Sequence, residues 1–595
     1  MKFSELANYL LKLESTPKRL EITAILAELI EKLDQTEIRC ATHLILGQLK
    51  APFENLRFNI AEKLMIKILE NAYSTPQKIV SDKDVTNLYN KAGDLGNVAF
   101  GLADTTKTGK LSITQVYERL CEIAKIEGNG SVDTKIKKTA TLLRELDPLS
   151  AKYATRIILG ITRLGFTELT FVDALSLYLK DKKLGTQIEN VYYTYPEIGL
   201  IAEKIKKSGI KGISKILIET GVPILSQKAQ RVSDAEEAIE KMGKVWAEYK
   251  FDGTRVQLHF DKHKPISHKN SDQTELFNDK DASYLVKTFT RNLEETTHQY
   301  PDIVQAAKQQ INAQSAILDG EAIGYDKKTG TFLPFQETMQ RKRKYDIGDT
   351  AKNVPLKYFV FDILLLDGKP LVNLPLRERK SLLKKTIKPG DTILIDDYLE
   401  TDNAEKLHEY YTEAKGKSLE GLVVKRPGDA YQAGARSYSW VKLKKAGEKL
   451  LEDSVDCVVL GYYAGRGERS KFGIGGFLVG VYDKKSDSFK TVTKVGTGLT
   501  DEDWDYLKKM CDKVKINTIP TNVAMDKIYM PDVLVKPSIV VELIADEISD
   551  SPSHTAGYAL RFPRLVKFRD DKSPSEITTV DEIKTMYRQQ KRGAY

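Results

Sequence analysis

Cysteine is scarce and scattered in this 595-residue chain: Cys40, Cys121, Cys457 and Cys511 are the only four. None stands at CxxC spacing, so neither a structural zinc module nor a disulfide framework is expected. Long apolar runs are missing as well. No stretch reaches the roughly 18 apolar residues of a membrane span, and Met1-Lys2-Phe3-Ser4-Glu5-Leu6 does not begin like a signal peptide. Together these absences imply a cytoplasmic protein with no membrane partner. Charge of one sign is not concentrated either. A net +9 permits a polyanionic partner without demanding one. What is present is an ordinary globular composition, 41% hydrophobic and 29% charged, in a chain long enough for roughly three or four domains.

Alternating segments are nearly absent before about Thr220. Leu6, Tyr9, Leu10 and Leu13 recur on one helical face, and Ile22, Ile25, Leu26, Leu29 and Leu33 on another, with Thr16-Pro17 placed as cap and first helical residue. Residues 1–222 are therefore expected to form one all-helical domain. The pattern breaks around Gly221-Val222-Pro223, strands are expected from Val245 onward, and residues 223–446 read as an α+β domain. From about Asp453 short strands and glycine turns predict a small β-barrel over residues 447–595. Two motifs are set aside. Asp104-Thr105-Thr106-Lys107-Thr108-Gly109-Lys110 lacks the carboxylates of a calcium loop and the Ser or Thr of a phosphate loop, so a solvated turn is expected. Gly473-Ile474-Gly475-Gly476 mimics a dinucleotide fingerprint but precedes a strand pattern instead of a helix.

The rest of the chain is organised around Trp246-Ala247-Glu248-Tyr249-Lys250-Phe251-Asp252-Gly253-Thr254-Arg255. Alternation puts Glu248 and Lys250 on one face and Val245, Ala247 and Tyr249 on the other. Asp252-Gly253 predicts a hairpin turn that would bring amine, carboxylate and guanidinium together. Alone, this short pattern could equally be a charged hairpin. Three later strands repeat the theme, however, with Asp319 and Glu321, then Glu420 and Lys425, then Lys442 and Lys444. Each taken singly has a plain alternative as a solvated strand charge, and Phe361 as core.

In this order the set resembles the nucleotidyltransferase motifs of ATP-dependent DNA ligases, and the flanking sequence is most similar to the archaeal and eukaryotic replicative type. The resemblance covers nearly the whole chain. It implies an all-α DNA-binding domain at 1–222, an α+β nucleotidyltransferase (adenylation) domain at 223–446 and an OB-fold β-barrel at 447–595. Lys250 would be the nucleophile that takes AMP from ATP. Glu248 would accept from the adenine amino group, Phe361 would stack on the base, and Arg291 and Glu321 would hold the ribose, with Arg255 at the phosphate end. Glu420 and Glu321 would bind Mg²⁺, and Lys442 and Lys444 would neutralise the α-phosphate. An amine attacks only when unprotonated, and Arg255, Lys442 and Lys444 are the expected source of a field that discourages its proton.

The resemblance extends to both ends. Leu46-Gly47-Gln48-Leu49-Lys50 and Ile158-Leu159-Gly160-Ile161-Thr162-Arg163-Leu164-Gly165 match glycine turns of the family's DNA-binding domain, although tight packing explains any single glycine. Arg561 and Lys572 fall in its final motif, where barrel residues orient the departing pyrophosphate. The pattern is interrupted once. Ser267-His268-Lys269-Asn270 is a degraded match where Thr290-Arg291-Asn292 is a good one, so residues 262–283 read as an insertion. The lack of a four-cysteine module counts against the NAD-dependent ligases. The implied function is sealing of nicked double-stranded DNA in replication, repair and recombination by a monomer, with a sliding clamp as a candidate partner. An RNA ligase or capping guanylyltransferase would share Lys250 without needing the helical domain, and a non-enzymatic DNA clamp would not need the full catalytic set.

Overall fold

The computed structural model describes residues 1–77, 79–265, 284–326, 329–333, 338, 354–417, 419–444 and 454–592. The chain forms two compact units, one of Met1–Ala61 with Asp104–Lys444, the other of Glu62–Ala103 with Lys445–Tyr595. No helix among the described residues is long and apolar enough to cross a membrane.

The N-terminal part of the first unit is helical. Phe3, Leu6, Leu10 and Leu13 of the helix Phe3–Glu14 and Ile22, Leu26 and Leu29 of the helix Arg19–Lys32 are buried, on the faces that the periodicity predicts. The second helix starts at Arg19 instead of at Pro17, because the Thr16 hydroxyl accepts from the Lys18 amide ahead of the first turn. The helices Ile38–Ile45 and Pro148–Ile158 both end on a left-handed glycine, Gly47 at φ 72° and Gly160 at φ 68°. In each turn an amide reaches back across the glycine, Gln48 to the His43 carbonyl at 2.9 Å and Ile161 to the Arg156 carbonyl at 3.0 Å. This geometry closes a helix C-terminus, and an L side chain resists it. A Cβ on Gly47 would also lie 2.9 Å from Thr162 Cγ2, so the two turns pack against one another. Beside them is a depression of about 620 Å³ lined by residues 47–52, 55–61 and 157–160. The stretch from Asp104 to Lys110 is a turn in which Asp104 accepts from the Thr106 amide.

Two sheets follow in the same unit. Their strands are β1 (Lys228–Val232), β2 (Val245–Lys250), β3 (Thr254–Pro265), β4 (Tyr284–Thr290), β5 (Ser315–Gly324), β6 (Leu356–Leu366), β7 (Lys369–Pro370), β8 (Ile393–Ile395), β9 (Tyr398–Thr401), β10 (Gly421–Lys425) and β11 (Arg436–Leu443). One sheet has the order β1-β11-β10-β2-β9, the other β4-β3-β5-β6-β7 with β8 on β6. This corrects the expected hairpin. β2 and β3 do not pair: β2 lies between β9 and β10, and β3 between β4 and β5. The cause is the destination of their apolar faces. Val245 and Ala247 pack with Ala238, Met242, Leu407 and Leu422, whereas Val256, Leu258 and Phe260 pack with Ile303, Ala307, Leu318 and Val360. Asp252-Gly253 therefore hands the chain from one sheet to the other. Strands also begin earlier than Val245, because β1 pairs in parallel with β11.

In the second unit β12 (Val455–Tyr463), β13 (Gly476–Asp483) and β14 (Ser488–Val495) are antiparallel neighbours in a sheet that also takes in Val533–Val535, Val540–Ile544 and Arg564–Phe568. Val459, Phe477, Val479, Val492, Val541 and Leu543 fill its core with Trp504 and Leu507 of the helix Asp501–Lys513. Gly473-Ile474-Gly475-Gly476 runs into β13, so no dinucleotide-binding helix follows it.

Candidate active site

The switch between sheets creates the site. A Cβ on Gly253 would sit 2.4 Å from the Ala322 carbonyl oxygen, so only glycine lets the chain pass this close to β5. The two sheets thereby line a single cleft of about 570 Å³, which Glu248, Lys250, Arg255, Arg291, Glu321, Phe361, Glu420, Lys442 and Lys444 all border.

At one end stands Lys250, the last residue of β2. Register places it opposite Gly421, and the Glu420 amide donates to its carbonyl at 3.0 Å, which brings the Glu420 side chain alongside. Lys250 Nζ donates to Glu420 Oε2, and Lys444 Nζ donates to Oε1 at 2.7 Å. Against the desolvation of partial burial, Lys250 and then Lys444 hold the Glu420 carboxyl below the usual carboxylate range. Burial, aided by Lys444 and Lys250, depresses Lys442. Burial pushes Glu321 up to about 8, despite Lys250 and Arg255 nearby.

The expected cationic field around Lys250 is corrected in part. Arg255 is engaged elsewhere, by Nε and Nη2 on the two oxygens of Asp319 at 3.0 and 2.6 Å and by Nη1 on the Gln227 carbonyl at 2.8 Å. A bidentate pair of this kind neutralises its charge and fixes its plane. The group in direct contact with Lys250 is a carboxylate.

At the other end Glu248 is buried, with Lys380 Nζ on Oε1 at 2.7 Å and Lys425 Nζ on Oε2. Burial works against the charge of Lys380, but Glu248 and Asp396 hold its pKa above the ordinary value, whereas burial prevails at Lys425 and lowers it. Phe361 borders the cleft edge-on to Trp440 at 5.8 Å between centroids, with Lys425 Nζ 4.4 Å from its ring centre. The neighbouring Asp362 is fully buried in a two-bond pair with Arg379, at 2.8 and 2.9 Å.

Sequence reasoning missed Lys380, Asp396, Gln227 and Tyr431. Lys380 belongs to Arg377-Glu378-Arg379-Lys380 on the helix Leu376–Thr386, a charge run without a period-two signal. Asp319, noted only as a strand charge, proves to be the buried partner of Arg255 and of the Tyr431 hydroxyl at 2.8 Å.

Arg291 is exposed on the turn after β4, next to Thr290 and Asn292 at the cleft edge. β3 and β4 pair from Val256–Thr290 to Asp261–Leu285 and, past a register shift, at Pro265–Tyr284, so residues 262–265 belong to β3 and the start of the expected insertion at 262–283 is corrected. Ser267-His268-Lys269-Asn270 lies outside the described residues. Arg561 and Lys572 belong to the second unit. There Arg561 ends the strand Tyr558–Arg561, 4.0 Å from Glu547, and Lys572 donates to Asp456 at 2.5 Å.

The residues present fit a nucleotide and a hard cation. One cleft carries an aromatic ring and a carboxylate at one end, and lysines with two carboxylates at the other. Mg²⁺ is commonly held by one or two carboxylates together with substrate phosphates, which matches Glu321 and Glu420.

Comparison with known proteins agrees with this chemistry. The description "DNA ligase N terminus" matches residues 2–176, "ATP dependent DNA ligase domain" residues 276–444 and "ATP dependent DNA ligase C terminal region" residues 470–572. Lys250 lies ahead of the middle match, in a part of the chain that full-length relatives cover. A probable DNA ligase of Dictyoglomus turgidum is 40% identical over 602 residues, spanning 100% of this chain and 98% of the relative. The DNA ligase of Sulfolobus acidocaldarius is 36% identical over 613 residues, 99% of this chain and 98% of its own. The DNA ligase of Pyrobaculum islandicum is 35% identical over the full length of both. Among solved structures, Pmar-Lig_PreS3 shares the fold at a TM-score of 0.51 and 18% identity, covering 95% of this chain and 99% of that one. Full-length likeness at this level, on a chain with this cleft, identifies a member of the ATP-dependent DNA ligase family.

Proposed function

We propose that the protein seals nicks in duplex DNA by way of AMP carried on Lys250. The observation that carries this reading is a single cleft with Lys250, Glu420, Lys442 and Lys444 at one end and Glu248 and Phe361 at the other. The Lys250 amine attacks the α-phosphorus of ATP, a P–N bond forms, the bond to the bridging oxygen breaks, and pyrophosphate leaves. The lysine must first shed its proton, and Glu420, already accepting from it, is placed to take part in that transfer. Lys442 and Lys444 stabilise charge on the α-phosphate, and Glu248 and Phe361 hold the base. Mg²⁺ bound through Glu321 and Glu420 would offset phosphate charge. AMP then passes to the 5′-phosphate of the nick, and attack by the 3′-hydroxyl closes the backbone and releases AMP.

In this reading residues 1–222 bind DNA, 223–446 form the nucleotidyltransferase domain and 447–595 an OB-fold. The depression beside the paired glycine turns, which Lys50 and Arg57 border, would meet phosphates, contacts that carry no sequence information, so binding should be sequence-blind and steeply salt-dependent. Arg561 and Lys572 would assist pyrophosphate departure, and a sliding clamp would recruit the enzyme. The test is incubation with α-labelled ATP or GTP, followed by nicked DNA, nicked RNA or a diphosphate-ended RNA. Label should move from protein to the DNA 5′-phosphate and then to free AMP. Preferred transfer from GTP to RNA ends would replace this reading with RNA capping.

A further inference from the structure

Asp396 is a buried carboxyl that the reaction above leaves without a role. It follows β8 directly, only 4% of its surface is exposed, and it borders the nucleotide cleft. Its amide donates to the Val360 carbonyl at 3.0 Å, which fixes it beside Phe361 on the neighbouring strand. Its carboxyl oxygens have no hydrogen-bond partner among the described residues. A carboxyl on the cleft wall that the described residues leave unpartnered is free to bond a ligand in the cleft. Every other charged group at that end is committed: Glu248 to Lys380 and Lys425, and Lys380 also to the Phe361 carbonyl at 3.3 Å.

We propose that Asp396 is a specificity-determining residue for the nucleotide base, donating a hydrogen bond from its carboxyl to ring N1 of adenine while Glu248 accepts from the 6-amino group. The inference rests on the ATP-dependent ligase reading and deepens it. Adenine presents a donor and an acceptor along this edge, and guanine presents them in reverse order. A carboxylate beside a protonated carboxyl matches the first order and opposes the second, because a protonated carboxyl has one O–H to give and an ionised one has none. The surroundings keep that proton in place. Burial, and then the Glu248 charge, hold the Asp396 carboxyl well above the usual carboxylate range, against the pull of Lys380 and Lys425. The titratable groups around it are Glu248 on β2, Lys380 on the helix Leu376–Thr386, Lys425 on β10, Tyr410 on the helix Ala404–Gly416 and its own neighbour Asp397.

The experiment measures self-adenylylation of the full chain with ATP and with 1-deaza-ATP, in which a C–H replaces N1. The wild type should show a KM for 1-deaza-ATP about tenfold above that for ATP, the worth of one neutral hydrogen bond. Asp396→Val should raise the KM for ATP by about the same factor and leave 1-deaza-ATP where it was. Asp396→Asn, which keeps an N–H donor, should recover most of the loss. Equal KM values for the two nucleotides in the wild type would overturn the proposal, as would an Asp396→Val effect of equal size on both. A second arm decides the matter if the valine variant does not fold. The wild-type KM for ATP should rise as alkaline pH removes the proton, while that of Asp396→Asn stays flat, and parallel profiles would overturn the assignment. A wild type that takes no covalent AMP from ATP would overturn the ligase reading itself, an outcome visible in the ATP arm alone.

Discussion

At one end of the cleft the side chains of Glu248, Lys380 and Lys425 are each 1% exposed and locked in contact, whereas at the other end Lys250, Glu420 and Lys444 are joined while 23%, 28% and 36% exposed. Both ends use lysine and glutamate, but their environments assign them different work. Charges taken out of water must keep every partner, because losing one leaves its mate uncompensated in a poor dielectric. The Glu248 end therefore has one arrangement, which suits the base recognition proposed for it. Charges left half in water exchange partners at little cost. The Lys250 end can open its contact with Glu420, which suits the reaction with phosphates proposed for it.

Substitutions can break this contrast, the largest effect coming from the nucleophile. Lys250→Ala should leave no detectable protein-bound AMP while still sealing nicks adenylylated beforehand, because lysine acts only in the first step. Gel assays of both substrates check this, and an equal loss on both would assign Lys250 to DNA binding or folding. Glu420→Gln should come next, slowing self-adenylylation by about a hundredfold, with partial recovery at raised Mg²⁺. Insensitivity to Mg²⁺ would remove Glu420 from the cation site.

Stability measurements sharpen the same contrast. Asp362→Ala strands the fully buried Arg379 and should cost about 3–5 kcal/mol, whereas Lys444→Met at the open end should cost less than about 1 kcal/mol. Denaturant titration followed through the first unit should separate the two, and comparable losses would contradict the division. A smaller effect is expected from acid. His259, buried on β3, accepts from the Gly221 amide at 3.0 Å, and burial lowers its pKa to about 3. Its folded pKa lies below the unfolded value near 6.5, so its contribution is fully present above that value and is lost as pH falls from there toward 3. By pH 5 the loss should reach about 2 kcal/mol. A His259→Gln variant should show a flatter decline between pH 7 and 5, and equal slopes would exclude His259 as the source.

Much of this was legible in the sequence, for local reasons. Helical faces followed from spacing, and β2 and β11 announced charges at period two that the fold brings, with Glu321, Glu420 and Lys425, to one cleft. The hairpin reading failed because Asp252-Gly253 is a local signal, whereas the partners of β2 lie about Tyr398 and Gly421 and are chosen by the burial of Val245 and Ala247. That Asp319 holds the Arg255 guanidinium was not visible locally, because Asp319 reaches it only through the β3–β5 register. Lys380 and Asp396 escaped notice for a similar reason. A charge in a helix or after a short strand reads as solvated until tertiary packing buries it.

The most direct test of the account is to locate the covalent AMP. After reaction with ATP and Mg²⁺ in the absence of DNA, proteolysis and mass spectrometry should find the adenylyl mass on the peptide containing Lys250, and wild-type protein should pass it to nicked DNA in a single turnover. AMP on Lys442, Lys444 or Lys425, with Lys250 unmodified, would contradict the division of the cleft into a locked end that reads the base and an open end that reacts.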